Sequence, residues 1–143
     1  MKTLLTFFFL LFSSFVFADD DLIDVKLLCE VDPENVKYFA FNFINSNEVK
    51  IYISNADDSI GEQVLKFKSF PRIIEINFPD HEFYYEKLKI DRRSLELEVH
   101  NKFFTIVSNG ICNIIKGDDN LLFKSISELM TKQIKEIKKD NKI

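Results

Sequence analysis

Any chemistry performed by this 143-residue chain would rest on two cysteines, two histidines and a scatter of serines, carboxylates and arginines. His81 and His100 stand nineteen positions apart. Neither lies in the His-x-His or His-x-x-x-His spacing that turns two imidazoles toward one metal, so both read as surface residues. Ser69, Ser94 and Ser108 lie in no nucleophile-elbow context. Glu96 and Glu98 alternate with Leu95, Leu97 and Val99, which puts them on the solvent face of a strand. An acid pair for glycoside hydrolysis needs a cleft and a set separation instead. With three glycines in all, a phosphate-cradling loop is not expected. Arg72, Arg92 and Arg93, with tyrosines nearby, imitate a nucleic-acid surface, but a net charge of -4 opposes one. These residues predict no enzyme, no cofactor and no metal.

The cysteines gain meaning from the start of the chain. Residues 1–18 combine an early Lys2, an apolar run broken only by Thr6, Ser13 and Ser14, and a final Val-Phe-Ala. This is the pattern of a cleaved secretory signal peptide. About fourteen apolar residues would span roughly 21 Å as a helix, short of the ~30 Å bilayer core. Cleavage after Ala18 leaves 125 residues, 143 less 18, enough for one domain. In an exported chain two cysteines predict a disulfide rather than a metal site or a nucleophile, here joining Cys29 to Cys112.

Between the cysteines the pattern is β. Val25, Leu27, Cys29 and Val31 alternate with Lys26 and Glu30, predicting a first strand with Cys29 inward. Residues 36–44 are apolar on both faces, which suits a strand with one face inside a barrel and the other covered, or a strand between two layers. Further strands are expected at 49–54, 63–70, 72–78, 82–90, 95–99, 103–107 and 111–116. Turns are expected at Asp32-Pro33-Glu34-Asn35, Asp91-Arg92-Arg93-Ser94, Asn101-Lys102 and Ser108-Asn109-Gly110, and a polar loop at 55–62. Phe83 and Tyr85 share one parity while Leu88 and Ile90 share the other, so a β-bulge near Glu86 or Lys87 is predicted. After Gly117 the period changes. Asp118, Asp119 and Asn120 suit a helix start, and Leu122, Ile126, Leu129, Met130, Ile134 and Ile137 recur at helical spacing.

The fold predicted is mainly β: an antiparallel barrel or compact sandwich of eight or nine short strands over residues 19–117. An amphipathic helix at 118–143 packs on the same domain. The run Tyr-Glu-Lys-Leu-Lys-Ile-Asp-Arg-Arg-Ser-Leu at 85–95 resembles a segment of small exported bacterial single-disulfide β proteins of unknown function. The present chain has Asp91 and Ser94 where asparagine and threonine are usual. In architecture the chain is distantly similar to the periplasmic lysozyme-inhibitor family, without that family's Ser-Gly-x-x-Tyr loop. These resemblances imply a periplasmic or extracellular β domain and bring no activity.

The expected role is binding. One reading is a protein-binding or inhibitor-like module acting on an envelope or extracellular protein. The alternative is a carrier of a small apolar ligand, with Tyr38, Phe41, Tyr52, Phe83 and Tyr85 facing it inside a barrel. The helix from Leu122 to Ile137 is expected to dock on the sheet, the less favoured alternative being contact with an anionic membrane or a partner groove.

Overall fold

A computed structural model describes residues 22–31, 37–55, 57–78, 85–101 and 106–140. The eight strands are β1 (Lys26–Val31), β2 (Lys37–Phe43), β3 (Glu48–Ser54), β4 (Ile60–Ser69), β5 (Ile73–Asn77), β6 (Tyr85–Asp91), β7 (Glu96–Asn101) and β8 (Ile106–Ile114), and one helix, α1 (Asp119–Asp140), follows them. Each strand pairs antiparallel with its neighbours in sequence, and β8 pairs with β1, so the sheet is a closed up-and-down barrel. The expected signal peptide at 1–18, the turns at 32–35 and 101–102 for the most part, His81 and Phe83 lie outside the described residues.

Strand alternation sorts the side chains into two cores. Inside the wall lie Leu27, Cys29 and Val31 of β1, Phe39, Phe41 and Phe43 of β2, Val49, Ile51 and Ile53 of β3, and apolar residues from every other strand. An eight-stranded barrel is just wide enough for side chains to fill it or for one small ligand. Here Phe43 meets Phe67 edge to face at 5.0 Å, and Phe39 stacks with Phe41. The second core lies outside the barrel, where Leu28, Tyr38, Ala40 and Tyr52 pack against Leu122, Ile126 and Met130 of α1. The two-faced apolar character of β2 thus has its cause: odd positions fill the barrel and even ones meet the helix.

The seam between β1 and β8 carries the disulfide. Cys29 and Cys112 are directly opposite in the register, with Cα atoms 3.9 Å apart, and their bond is buried inside the wall. Two residues along, Gly110 faces Val31. A Cβ at Gly110 would run into the carbonyl oxygen of Glu30 and lie 2.8 Å from Val31 Cγ2. This glycine therefore permits a close approach of two backbones, and the turn expected at Ser108-Asn109-Gly110 is absent: these residues pair with Val99, Glu98 and Leu97 inside one continuous β8. The count of strands is eight for that reason. The loop expected at 55–62 is also shorter, because Ile60, Gly61 and Glu62 already pair with Ser54, Ile53 and Tyr52.

Local devices shape the ends. The register slips between Tyr85 and Lys87, where the change of apolar parity requires it. The turn after β6 is organised by Asp91. Its Oδ1 accepts the backbone N–H groups of Ser94 (3.0 Å) and Arg93 (2.8 Å), and its Oδ2 accepts Arg72 Nε at 2.9 Å. The Ser94 bond, then the Arg72 guanidinium and the Arg93 bond, hold this carboxyl down to about 2. At the other corner, Gly117 has φ +144°, where a Cβ would strike the Leu121 side chain. Asp118 then caps α1 by accepting the Leu121 N–H at 2.9 Å. Asp119 accepts Asn42 Nδ2 and so fastens the first turn to β2.

Three outcomes are expected from this fold. Replacing Cys29 and Cys112 together by alanine frees a separation of 83 residues, and the chain-entropy model puts the loss at about 4 to 5 kcal/mol. An unchanged urea midpoint would show that the seam closes without the bond. Gly110→Ala should cost about 1–3 kcal/mol through the forced parting of β1 and β8, read from the same midpoint. Asp91 has a folded-state pKa below its unfolded value, so its stabilisation is full above the ordinary carboxylate range. It should be lost as the pH falls from 3.8 toward about 2. Across that window Asp91→Asn should show a shallower fall in urea midpoint than wild type, and parallel curves would refute the assignment.

Candidate binding surface

The outer wall away from the helix is a polar lattice. Across β4 to β7 the register sets Lys68 opposite Glu75, Glu75 opposite Lys89, and Lys89 opposite Glu98. Glu75 lies 3.5 Å from Lys87 and 3.9 Å from Lys89, and Lys50 pairs with Glu62 at 2.7 Å. Such alternation of sign suits a wall that faces water, and it is the reverse of the apolar outer band of a barrel that spans a bilayer.

On β8 the lattice stops. Asn109 is opposite Glu98, and Ile111 is opposite Glu96 on one side and Glu30 on the other. Because Cys112 points inward, Ile111 must point out, and it is 62% exposed. Around it the outer face of β7 and β8 forms an open depression of about 450 Å³, lined by Glu96, Leu97, Glu98, Asn109, Gly110 and Ile111. Carboxylates frame the knob, since Glu30 and Glu96 flank Ile111; burial first, and then Glu30 with Glu136, also pushes up the neighbouring Tyr38 hydroxyl. Chemically the arrangement is an apolar knob in a carboxylate frame, suited to a cationic, partly apolar surface.

The five aromatics expected to face a ligand do not share one surface. Phe41 is inside the barrel, whereas Tyr38 and Tyr52 sit on the outer face beneath α1, since they occupy even positions on strands whose odd positions turn inward. Tyr85 opens β6, and Phe83 lies outside the described residues. His100 is 7% exposed instead of lying on the surface. The register shift beside it breaks the alternation, so Val99, His100 and Asn101 are all buried in succession, and His100 Nε2 sits 2.9 Å from Glu98 Oε2. Arg92 and Arg72 tie turns together: Arg92 Nη1 donates to the Phe70 carbonyl at 3.2 Å and to Ser69 Oγ at 3.3 Å, and Arg72 holds Asp91. Ser94 Oγ donates to Glu96 Oε2 at 3.1 Å, a contact that orders the rim of the depression. Among the described residues no group of three or more His, Cys, Asp or Glu side chains could hold a metal ion.

The apolar stripe of α1 is spent on the barrel wall through Leu122, Ile126 and Met130, leaving Leu121 and Phe123 half-exposed. No described helix is long and apolar enough to cross a membrane. Sequence reasoning missed Ile111 as a surface residue, although its parity against the inward Cys112 was the available signal. Compared with known proteins, the chain matches no family model, no curated protein and no solved structure.

Proposed function

We propose that this chain is an exported binding protein that docks a protein partner, one presenting a basic surface segment with an apolar tip, on the outer face of β7 and β8. Ile111 carries the reading: a large apolar side chain held out to solvent on a rigid strand, between Glu30 and Glu96 and beside Glu98. Exposed apolar groups with a polar rim mark protein-interaction sites, and carboxylates around one select a cationic partner and speed its approach. Export is supported by the signal-peptide pattern of residues 1–18 and by the buried disulfide, which suits an oxidising compartment. Binding without catalysis fits the roles found for the polar side chains, which serve turns, caps and wall pairs. A carrier of a small apolar ligand has less support, because Tyr38 and Tyr52 face away from the interior and the inward phenylalanines pack on one another.

The test uses the purified protein and its Ile111→Asp variant as baits against envelope extract of the host. A stoichiometric basic protein should be retained by the wild type, released by rising salt, and bound at least about tenfold more weakly by the variant. Melting temperatures should match, since Ile111 packs on nothing in the core. Absence of any partner that distinguishes the two baits would overturn the proposal.

A further inference from the structure

Beside the first turn of α1, β1 and β2 bring together an amine, a carboxamide and a carboxylate. Lys26 and Asn42 are directly opposite in the β1–β2 register, and both are buried, at 8% and 7% exposed. Phe43 donates its N–H to the Val25 carbonyl at 3.1 Å, which makes that adjacent pair the hydrogen-bonded kind. Lys26 and Asn42 are therefore the closer, non-hydrogen-bonded kind, whose Cα atoms stand about 4.5 Å apart. The helix supplies the third group, since Asp119 Oδ1 accepts Asn42 Nδ2. The other end of that amide is unsatisfied: Asn42 Oδ1 is buried and has no hydrogen-bond partner among the described residues. Lys26 Nζ donates to the Asp24 carbonyl at 3.3 Å. Lys50 is opposite Asn42 on the other side, from β3. There the Ile44 N–H donates to the Glu48 carbonyl, so Asn42 and Lys50 are the wider pair, and Glu62 holds Lys50 Nζ at 2.7 Å.

We propose that Lys26 and Asn42 join in an intramolecular isopeptide bond, made by the folded chain itself with Asp119 as the proton carrier. The arrangement is that of the reactants. The Asp119 carboxylate takes a proton from the Lys26 ammonium, and the freed Nζ lone pair attacks Asn42 Cγ to give a tetrahedral centre. Asp119, already bonded to Nδ2, returns the proton to that nitrogen. The Cγ–Nδ2 bond then breaks, and ammonia departs as ammonium with the second proton that Nζ sheds. An ammonium and a carboxamide are consumed, a secondary amide and an ammonium are produced, and no oxidant or cofactor is needed. A carboxamide is inert to an amine in dilute solution. Here the β ladder holds the two groups opposite each other, which replaces a rare encounter by a fixed one, and burial keeps out the water that would compete for Cγ. The new amide retains one N–H, which replaces Nδ2 as the donor to Asp119. With Cys29–Cys112 joining β1 to β8, the second bond would stitch β8, β1 and β2 in series, and reduction would open only the first link.

The test is mass spectrometry of the purified chain after reduction and denaturation. The wild type should weigh less, by one ammonia, than the sequence that follows from its measured N-terminus. Its tryptic digest should contain a branched peptide carrying both Lys26 and Asn42, uncut after Lys26, because an acylated lysine is not a trypsin site. Lys26→Arg and Asp119→Ala should each have the full mass of their sequence and be cut normally after position 26. A cyclised asparagine also loses ammonia, but it leaves Lys26 open to trypsin, so the digest separates the two reactions. Full mass in the wild type, lost ammonia without the branched peptide, or a loss that persists in either variant would overturn the proposal. The wild-type measurements decide the matter even where a variant fails to fold, and none of them bears on Ile111.

Discussion

Closure at the β1–β8 seam is the constraint from which the rest follows. A sheet that failed to close would present two edges and a row of unpaired backbone groups on each. Here the seam joins the first strand to the last, the pairing of highest sequence separation in the chain. The entropic cost of bringing such distant segments together is large relative to the gain from any one pair of residues. Three features reduce that cost. The disulfide between Cys29 and Cys112 holds the register at one residue pair, Gly110 lets the backbones approach, and both sulfurs are enclosed by the barrel core. The register also decides which face of β8 looks outward, and so exposes Ile111.

The helix follows from the same wall. A barrel of eight strands must cover any outer stretch that is apolar, and β1 to β3 carry Leu28, Tyr38, Ala40 and Tyr52 on their outer faces. The corner at Gly117 returns the chain over that stretch, and Asp118 and Asp119 fix where the helix begins. The apolar stripe of α1 is thereby committed to the domain, and the remaining faces carry serine, threonine, lysine and glutamate beside the half-exposed Leu121 and Phe123. A helix that is amphipathic in isolation can look like a membrane or partner element. In this fold its apolar half completes the barrel.

Much of this architecture is legible in the periodicity of the sequence. The inward Cys29, the two-sided β2, the bulge between Tyr85 and Lys87 and the helical spacing after Gly117 all follow from where apolar residues recur. Glycine was the point of failure. Ser108-Asn109-Gly110 has the composition of a turn, and composition cannot distinguish a glycine needed for backbone angle from one needed for close packing against a distant strand. His100 failed for a related reason, since its burial depends on a register shift with β8 that one strand cannot reveal. The aromatics divided between two cores because parity is read along a strand, whereas a shared cavity depends on strands far apart in sequence. The outer face of β8 was the least legible part: parity against Cys112 turns Ile111 outward, but the carboxylates that frame it come from β1 and β7.

The charges of the outer wall distinguish its exposed aliphatic side chains, of which Val64 and Ile111 are two. Around most of the barrel each charge faces an opposite one, so the surface satisfies itself and attracts nothing in particular. Val64 and Ile111 interrupt that lattice with different frames. Val64 sits between Glu62 and Lys66, one charge of each sign, and faces Lys50 on β3. Ile111 sits among Glu30, Glu96 and Glu98, charges of a single sign. Two copies meeting there would set carboxylates against carboxylates, at a cost that grows as water is expelled. The same apolar chemistry thus lies in a locally balanced charge frame at one site and in a carboxylate frame at the other. The charges around each site, more than the aliphatic side chain itself, distinguish the two surfaces.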